Sequence, residues 1–196
     1  AASLAWADSR GTSAAAVLLV MGSAIVGGAL EGMVVGAAQW WVLRRPVPRL
    51  RWQAWVAATV VGALVAWTLG MATATLGGAM SAEGQSGGPA EIGPPATYGL
   101  AALMGLGAGA VLGLPQWFAL RRHVHRAGWW VAANAAAWAP GMVVVFVAAG
   151  SVPENVAGPA VYALVAVTLA VAGAIVGAIH GAALLWLLRR PAPQQA

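Results

Sequence analysis

Residues 32–52 read GMVVGAAQWWVLRRPVPRLRW, and residues 109–129 read GAVLGLPQWFALRRHVHRAGW. The two segments align without a gap at a spacing of 77 residues and share the pattern G-x3-G-x2-Q-W-x2-L-R-R-x-V-x-R-x2-W. In both, an apolar stretch ends at an arginine pair, and another apolar stretch begins at the last tryptophan. A repeat of this length predicts a duplicated helical hairpin, with both copies pointing the same way.

A third, partial copy lies near the end of the chain. Residues 177–191, GAIHGAALLWLLRRP, keep the glycines and the arginine pair but carry Leu184 and Leu185 where the other copies have Gln-Trp. We therefore predict a single membrane domain over residues 1–196 that contains two parallel hairpin repeats and a half-repeat. Its parts are repeat 1 (about 18–80), an outer loop (81–97), repeat 2 (about 98–149) and the half-repeat (about 158–190).

The composition indicates that lipid surrounds most of the chain. Hydrophobic residues make up 61% of it and charged residues 8%, where a soluble domain carries about 25%. At about 20 apolar residues for each crossing, this predicts an all-α polytopic integral membrane protein with about five transmembrane helices. They are expected at about 11 or 18 to 43, 52–80, 98–120, 129–149 and 160–188.

The charges separate cleanly between the two ends of these predicted helices. Asp8, Glu83, Glu91 and Glu154 fall at one end, and every arginine except Arg10 falls at the other. Because arginines collect on the cytoplasmic side of bacterial membranes, the N-terminus is predicted outside and the C-terminus in the cytoplasm. The predicted location is the bacterial inner membrane.

The arginine pairs are expected to contact anionic lipid headgroups, since basic residues beside a membrane are attracted to them. Most of the tryptophans lie close to the arginines, as in an interfacial aromatic belt, which argues against a nucleic-acid partner. The chain has no cysteine, so thiolate metal sites are excluded. The predicted headgroup contacts are Arg44, Arg45, Arg121, Arg122, Arg189 and Arg190.

Each copy also contains glycines at every fourth position, which we call glycine ladders. Small residues at this spacing allow helix backbones to approach closely in lipid, so we expect the first, third and fifth helices to pack through these faces. The first ladder is Gly28, Gly32 and Gly36, the second is Gly105, Gly109 and Gly113, and the third is Gly173, Gly177 and Gly181.

The Q-W-x2-L-R-R hairpins with their Arg-x-x-Trp return resemble a group of uncharacterised small bacterial membrane proteins with repeated hairpins. The resemblance covers most of residues 28–190. It implies a membrane location and a repeat architecture, and it carries no activity with it. The third copy departs from the pattern at Leu184 and Leu185.

Glu31 is the one ionisable residue between Arg10 and Arg44. It lies 13 residues before Arg44, or roughly 20 Å from the arginine pair along a helix. A carboxyl group at that depth marks an ion or proton path, a polar contact between helices, or a contact with a partner subunit. We favour the polar contact, with transport as the alternative.

Four other polar side chains lie inside the predicted helices. His180, on the third ladder, is expected to form an interhelical hydrogen bond, and ligation of a haem or bacteriochlorophyll metal is the alternative. Gln39 and Gln116 are expected to bond across the hairpin or to cap a neighbouring helix. Asn134 is expected to hold two helices together. The sequence requires no cofactor, although bacteriochlorophyll, haem or carotenoid binding stays open.

No combination of nucleophile, base and acid converges in this sequence, and no nucleotide loop or zinc motif is present. We therefore expect a non-catalytic, helix-packing membrane subunit, an accessory or scaffold component of a larger membrane complex, with photosynthetic or respiratory complexes as the natural hosts. The alternatives are a small transporter or channel that uses Glu31 and a pigment-binding subunit that uses His180. Other membrane subunits are the expected protein partners.

Overall fold

Long stretches without charge form helices, and these end beside the arginine clusters. The computed structural model describes residues 14–83, 93–152 and 158–189. Within these ranges the chain is all-helical, and each of five helices is long and apolar enough to cross a membrane. They are α1 (Ala14–Leu43), α2 (Trp52–Glu83), α3 (Pro94–Leu120), α4 (Trp129–Gly150) and α5 (Pro159–Leu188).

The helix ends differ from the prediction mainly around the loop expected at 81–97. Helix α2 continues to Glu83 and α3 already begins at Pro94, so both ends of that segment are helical. Proline is well suited to the first turn of a helix, because its fixed φ is helical and its missing N–H has no partner there in any case. The two prolines of GPPAT therefore begin the helix. Pro159 begins α5 in the same way, after Gly158 turns the chain with φ 142°.

Each helix packs against the next one in the chain, so α2, α3 and α4 have a neighbour on either side. Among the described residues, α1 and α3 are not direct neighbours, and neither are α3 and α5. The helices alternate in direction, which brings both interhelical arginine-rich turns and the end of α5 to one end of the bundle. We call this the arginine end; it comprises residues 44–51, 121–128 and Arg189.

The two arginine-rich turns fold alike. In the first, the Val47 N–H donates to the Leu43 carbonyl at 2.9 Å, and in the second the Val124 N–H donates to the Leu120 carbonyl at 3.1 Å. These leucines and valines are buried together with one further residue from each turn, and they form the apolar core at the arginine end. The arginines between them point outward. Other members of this core are Leu50, Trp55, Ala127, Trp130 and Leu187.

The first glycine ladder faces side chains of α2. A Cβ added at Gly32 would lie 3.0 Å from the Cβ of Ala63, and one added at Gly28 would overlap the indole ring of Trp67. The third glycine of this ladder faces Thr59. In hairpin 1, formed by α1 and α2, the glycines therefore lie against both side chains and Cα atoms of α2, with Val60 Cα also 3.0 Å from a Cβ added at Gly32.

The second ladder faces the backbone of α4. A Cβ added at Gly105 would overlap the carbonyl group of Trp138, and one at Gly109 would overlap the carbonyl group of Asn134. At Gly113 the nearest atom is the Cα of Val131, 2.9 Å away. Hairpin 2 is consequently the closer of the two helix pairs, with backbone against backbone.

The third ladder is open. A Cβ added at Gly173, Gly177 or Gly181 would meet nothing within 4 Å in the described part of the chain. Gly173 and Gly177 are exposed, and α5 packs against α4 through other residues, among them Val176, which contacts Gly141. Packing of this ladder against another helix therefore stays a prediction.

Candidate functional site

The buried polar groups of four helices meet at the side chain of Gln116. Its Nε2 donates hydrogen bonds to Gln39 Oε1 at 3.1 Å and to Thr59 Oγ1 at 2.9 Å. Its Oε1 accepts a bond from Trp130 Nε1 at 2.8 Å. The glutamines that occupy the same position in the two repeats thus bond to each other, and they link α1 to α3 although these helices are not neighbours.

The chemistry of the partners fixes which way this amide points. The indole N–H of Trp130 is a donor only, so it must face the oxygen of Gln116 and not its nitrogen. The amide nitrogen then faces the oxygens of Gln39 and Thr59. The Thr59 hydroxyl completes the arrangement by donating to the Trp55 carbonyl at 3.0 Å. Every hydrogen-bonding atom of Gln116 has a partner, which suits a residue that is 2% exposed.

Asn134 joins the same region through the backbone. Its Nδ2 donates to the Trp130 carbonyl, one turn earlier on α4, at 2.9 Å. The side chain also lies against Gly113 of the second ladder. Asn134 is 1% exposed, so its amide lies inside hairpin 2, and the hydrogen bond that its Nδ2 donates stays within its own helix.

His180 lies on the other side of Trp130. The two rings are 5.0 Å apart between centroids, and Trp55 packs against the same indole at 5.8 Å. His180 Nε2 and Trp55 Nε1 are buried, and no hydrogen-bonding atom of the described residues reaches either of them. With His180, all five helices contribute to one cluster near the arginine end, which we call the polar cluster: Gln39, Trp55, Thr59, Gln116, Trp130, Asn134 and His180.

Glu31 is separate from the polar cluster. It is exposed on the outside of the bundle, and its Oε2 accepts a hydrogen bond from Trp67 Nε1 at 3.3 Å. The Trp67 ring also covers Gly28, three residues before the carboxylate. Large apolar side chains surround this pair, and Leu30 and Val34 are 55% and 71% exposed. The carboxylate therefore lies on an outer apolar surface.

Aromatic rings hold several arginines in place at the arginine end. The Arg44 guanidinium lies 3.5 Å from the centroid of the Trp41 ring, and Arg121 lies 4.7 Å from that of Phe118, the matching residue of repeat 2. Arg126 lies over Trp186 of α5 at 5.3 Å. Arg45, Arg122 and Arg189 are exposed at the same end, and Arg190 lies outside the described residues.

The repeated sequence pattern indicated both glutamines but not two partners of Gln116, and it did not indicate the partner of Glu31. Thr59 and Trp130 were missed because their repeat counterparts are Ala136 and Gln53, so the repeat pattern gives them no emphasis. The position of Trp67 could have been interpreted from the sequence, because this tryptophan is far from any arginine and outside the aromatic belt. A mid-helix tryptophan opposite a glycine indicates a ring lying over that glycine.

Comparison with protein-family models, with curated proteins and with solved structures finds no match to this chain. In the ranges that the structure describes, no group of three or more His, Asp or Glu side chains could hold a metal ion.

Proposed function

We propose that this chain is an integral protein of the bacterial inner membrane, with five transmembrane helices, its N-terminus outside and its C-terminus in the cytoplasm. Within each candidate span, only 11–22% of the residues are buried inside the bundle. Apolar side chains on the rest of the surface need a cover of lipid or of other membrane proteins. The segregation of arginines and acids supports the orientation.

We further propose that it is a non-catalytic subunit that binds another membrane protein, and Glu31 is the observation that carries this. At roughly 20 Å from the arginine pair, the carboxyl group lies well inside a hydrocarbon layer about 30 Å thick, about two thirds of the way across it. A polar group exposed to lipid there is costly unless it finds partners. Trp67 supplies a single hydrogen bond. A polar side chain on a neighbouring subunit would supply the rest.

The polar cluster supports a structural role for the other candidate residues. The amide of Gln116 is fully hydrogen-bonded within the chain, so it offers no free group for a substrate. A network of this kind fixes how helices pack in lipid, where hydrophobic attraction between helices is absent. It suits a subunit whose rigid outer surface is recognised by a partner.

The rival functions fit this geometry less well. Carboxylates on transport paths usually face the bundle interior or a water-filled cavity, whereas Glu31 faces outward, so another chain would have to complete a path through it. His180 is 6% exposed and lies against Trp130, so a haem or bacteriochlorophyll could reach its ring only after that packing had opened. Photosynthetic and respiratory complexes are the hosts to examine first.

The test is purification of the native protein in a mild detergent, followed by mass spectrometry and a visible absorption spectrum. We expect a stoichiometric membrane partner with the wild type and its loss with Glu31→Leu. Glu31→Gln should retain most of the partner, because an amide still accepts and donates hydrogen bonds. Val34→Leu, also on the exposed surface of α1, is the matched control.

Other outcomes would contradict the proposal. A wild-type protein that purifies alone, together with an ion or proton flux across vesicles that Glu31→Gln abolishes, would establish the transport function instead. A visible absorption band that disappears with His180→Ala would establish pigment binding.

A further inference from the structure

Two open grooves meet on the outside of the bundle between α2 and α3. The first, of about 470 Å³, lies at the arginine end and is lined by both arginine-rich turns. The second, of about 410 Å³, continues along the helices and is lined almost entirely by apolar side chains. The grooves share Ala54, Phe118 and Ala119, so they form one continuous surface. We call its two parts the head groove and the tail groove.

The head groove has the charge of an anion site. Arg49 and Arg51 line it from the first turn, and Arg121, Arg122 and His123 line it from the second. Neither turn, residues 44–51 or 121–128, contains an acidic residue that could neutralise these groups. Arginine presents several N–H donors in a planar fork that matches a phosphate group. An anion with a phosphate group is thus the complementary ligand for this end of the groove.

The side chains that line the tail groove are apolar and suit contact with a hydrocarbon chain. Small side chains of α2, Ala54, Ala57 and Ala58, leave space opposite Pro115 and Phe118 of α3. Farther from the arginine end, α2 and α3 come closer together, since a Cβ added at Gly62 would lie 3.0 Å from the Leu112 backbone. From Ala54 to Val61, the first and last residues of α2 that line the tail groove, the helix rises roughly 10 Å. This is about two thirds of one leaflet of a hydrocarbon layer 30 Å thick, so the groove accommodates the upper part of an acyl chain.

Phe118 stands at the junction of the two parts. Its ring is 54% exposed, and it forms a wall of both grooves. The Arg121 guanidinium lies over this ring at 4.7 Å. The Arg121 cation is therefore held where the tail groove begins. In a bound lipid, this is where the phosphate would meet the acyl chain.

We propose that this surface is a binding site for a single anionic phospholipid, with its phosphate in the head groove and one acyl chain in the tail groove. The site is distinct from the general attraction of basic residues to a charged membrane, because it combines four arginines from two turns with an adjoining open apolar groove. The proposal rests on the membrane location proposed above and needs no partner subunit.

The experiment uses the purified full chain in a mild non-ionic detergent, with native mass spectrometry to count bound lipids. Phosphatidylglycerol is titrated against phosphatidylcholine, and the wild type should retain one phosphatidylglycerol. Arg121→Gln combined with Arg122→Gln should weaken its binding by about tenfold or more, because two phosphate-binding cations are lost. Arg45→Gln combined with Arg189→Gln removes the same charge at the same end, outside the groove, and should leave binding nearly unchanged.

A second variant pair tests the tail groove without any change of charge. Ala57→Leu fills the groove and should also weaken retention of phosphatidylglycerol severalfold. Ala38→Leu is its control, because Ala38 is exposed on α1 six residues from Arg44, just as Ala57 lies six residues from Arg51. Far-UV circular dichroism of every variant checks that the helices are intact.

Three outcomes would overturn the proposal. Equal losses from both arginine pairs would mean that the arginine end attracts lipids only by its overall charge. Unchanged binding in Ala57→Leu, with glycerol 3-phosphate competing as well as the lipid, would mean that the ligand is a soluble phosphate compound. Equal retention of phosphatidylcholine would exclude selection of an anionic headgroup. None of these depends on a partner, so they are independent of the test of Glu31.

Discussion

Hairpin 1 and hairpin 2 carry the same glycine ladder but cover it differently. In hairpin 1 a Cβ added at Gly32 would lie 3.0 Å from both the Ala63 side chain and the Val60 Cα, whereas in hairpin 2 a Cβ added at Gly105 or Gly109 would overlap a backbone carbonyl of α4. A glycine ladder therefore permits close approach of two helices without dictating it. The residues of the returning helix determine how close the two backbones come.

The difference also explains where the hydrogen bonds are concentrated. The Gln116 side chain, in hairpin 2, makes three hydrogen bonds and is 2% exposed, while Gln39, at the same position in hairpin 1, makes one and is half-buried. The two hairpins thus differ in a consistent way. Hairpin 2 is the close-packed centre of the bundle, and hairpin 1 presents the exposed carboxylate to its surroundings.

The largest expected effect comes from the middle glycine of hairpin 2. Gly109→Ala should lower the free energy of unfolding by about 3 kcal/mol, because the new Cβ overlaps the Asn134 carbonyl and a backbone atom cannot move aside alone. The measurement is reversible unfolding in mixed micelles with increasing sodium dodecyl sulfate, followed by circular dichroism. Gly107→Ala on the same helix, where a Cβ meets nothing within 4 Å, is the control.

A smaller loss is expected from the centre of the polar cluster. Gln116→Leu should cost about 2 kcal/mol, since it leaves the buried indole N–H of Trp130 without an acceptor and breaks two further bonds. Gln39→Leu should cost only about 0.6 kcal/mol, the typical value for one interhelical hydrogen bond in lipid. The same unfolding assay measures both variants. Equal losses of unfolding free energy for the two would mean that the hydrogen bonds are not concentrated at Gln116.

Of the two ladder glycines, the one in the looser hairpin should show the smaller loss of stability. Gly32→Ala should cost about 1 kcal/mol, because its Cβ comes within 3.0 Å of the Ala63 Cβ and the Val60 Cα without overlapping either, so a shift of α2 by a few tenths of an ångström relieves the contact. Gly177→Ala, the cognate change in the third ladder, should not destabilise the isolated chain. A loss at Gly32 as large as that at Gly109 would mean that both hairpins are equally close-packed.

The sequence predicted the helices well because the information for them is local. Absence of charge over about 20 residues and arginine pairs at the ends are visible in any window of the chain, and four of the five predicted helices end within one residue of the observed C-terminus. The start of α3 was misplaced at 98 because prolines were taken as loop residues, although proline is favoured in a helical first turn. The two glutamines stood out in the sequence as polar residues in apolar helices; in the structure Gln116 is buried and Gln39 is half-buried.

Other features depended on which helices become neighbours, and no local pattern encodes that. The glycine ladders, the repeated sequence pattern, the position of Glu31 in an apolar stretch and the arginine clusters were visible in the sequence alone. Only the tertiary structure decided that Gln116 bonds to Gln39, that Trp67 reaches Glu31, and that the second ladder lies closer to a neighbouring backbone than the first. The reason is physical: helices form through hydrogen bonds four residues apart, whereas their packing in lipid depends on the shape of side chains far away in the sequence.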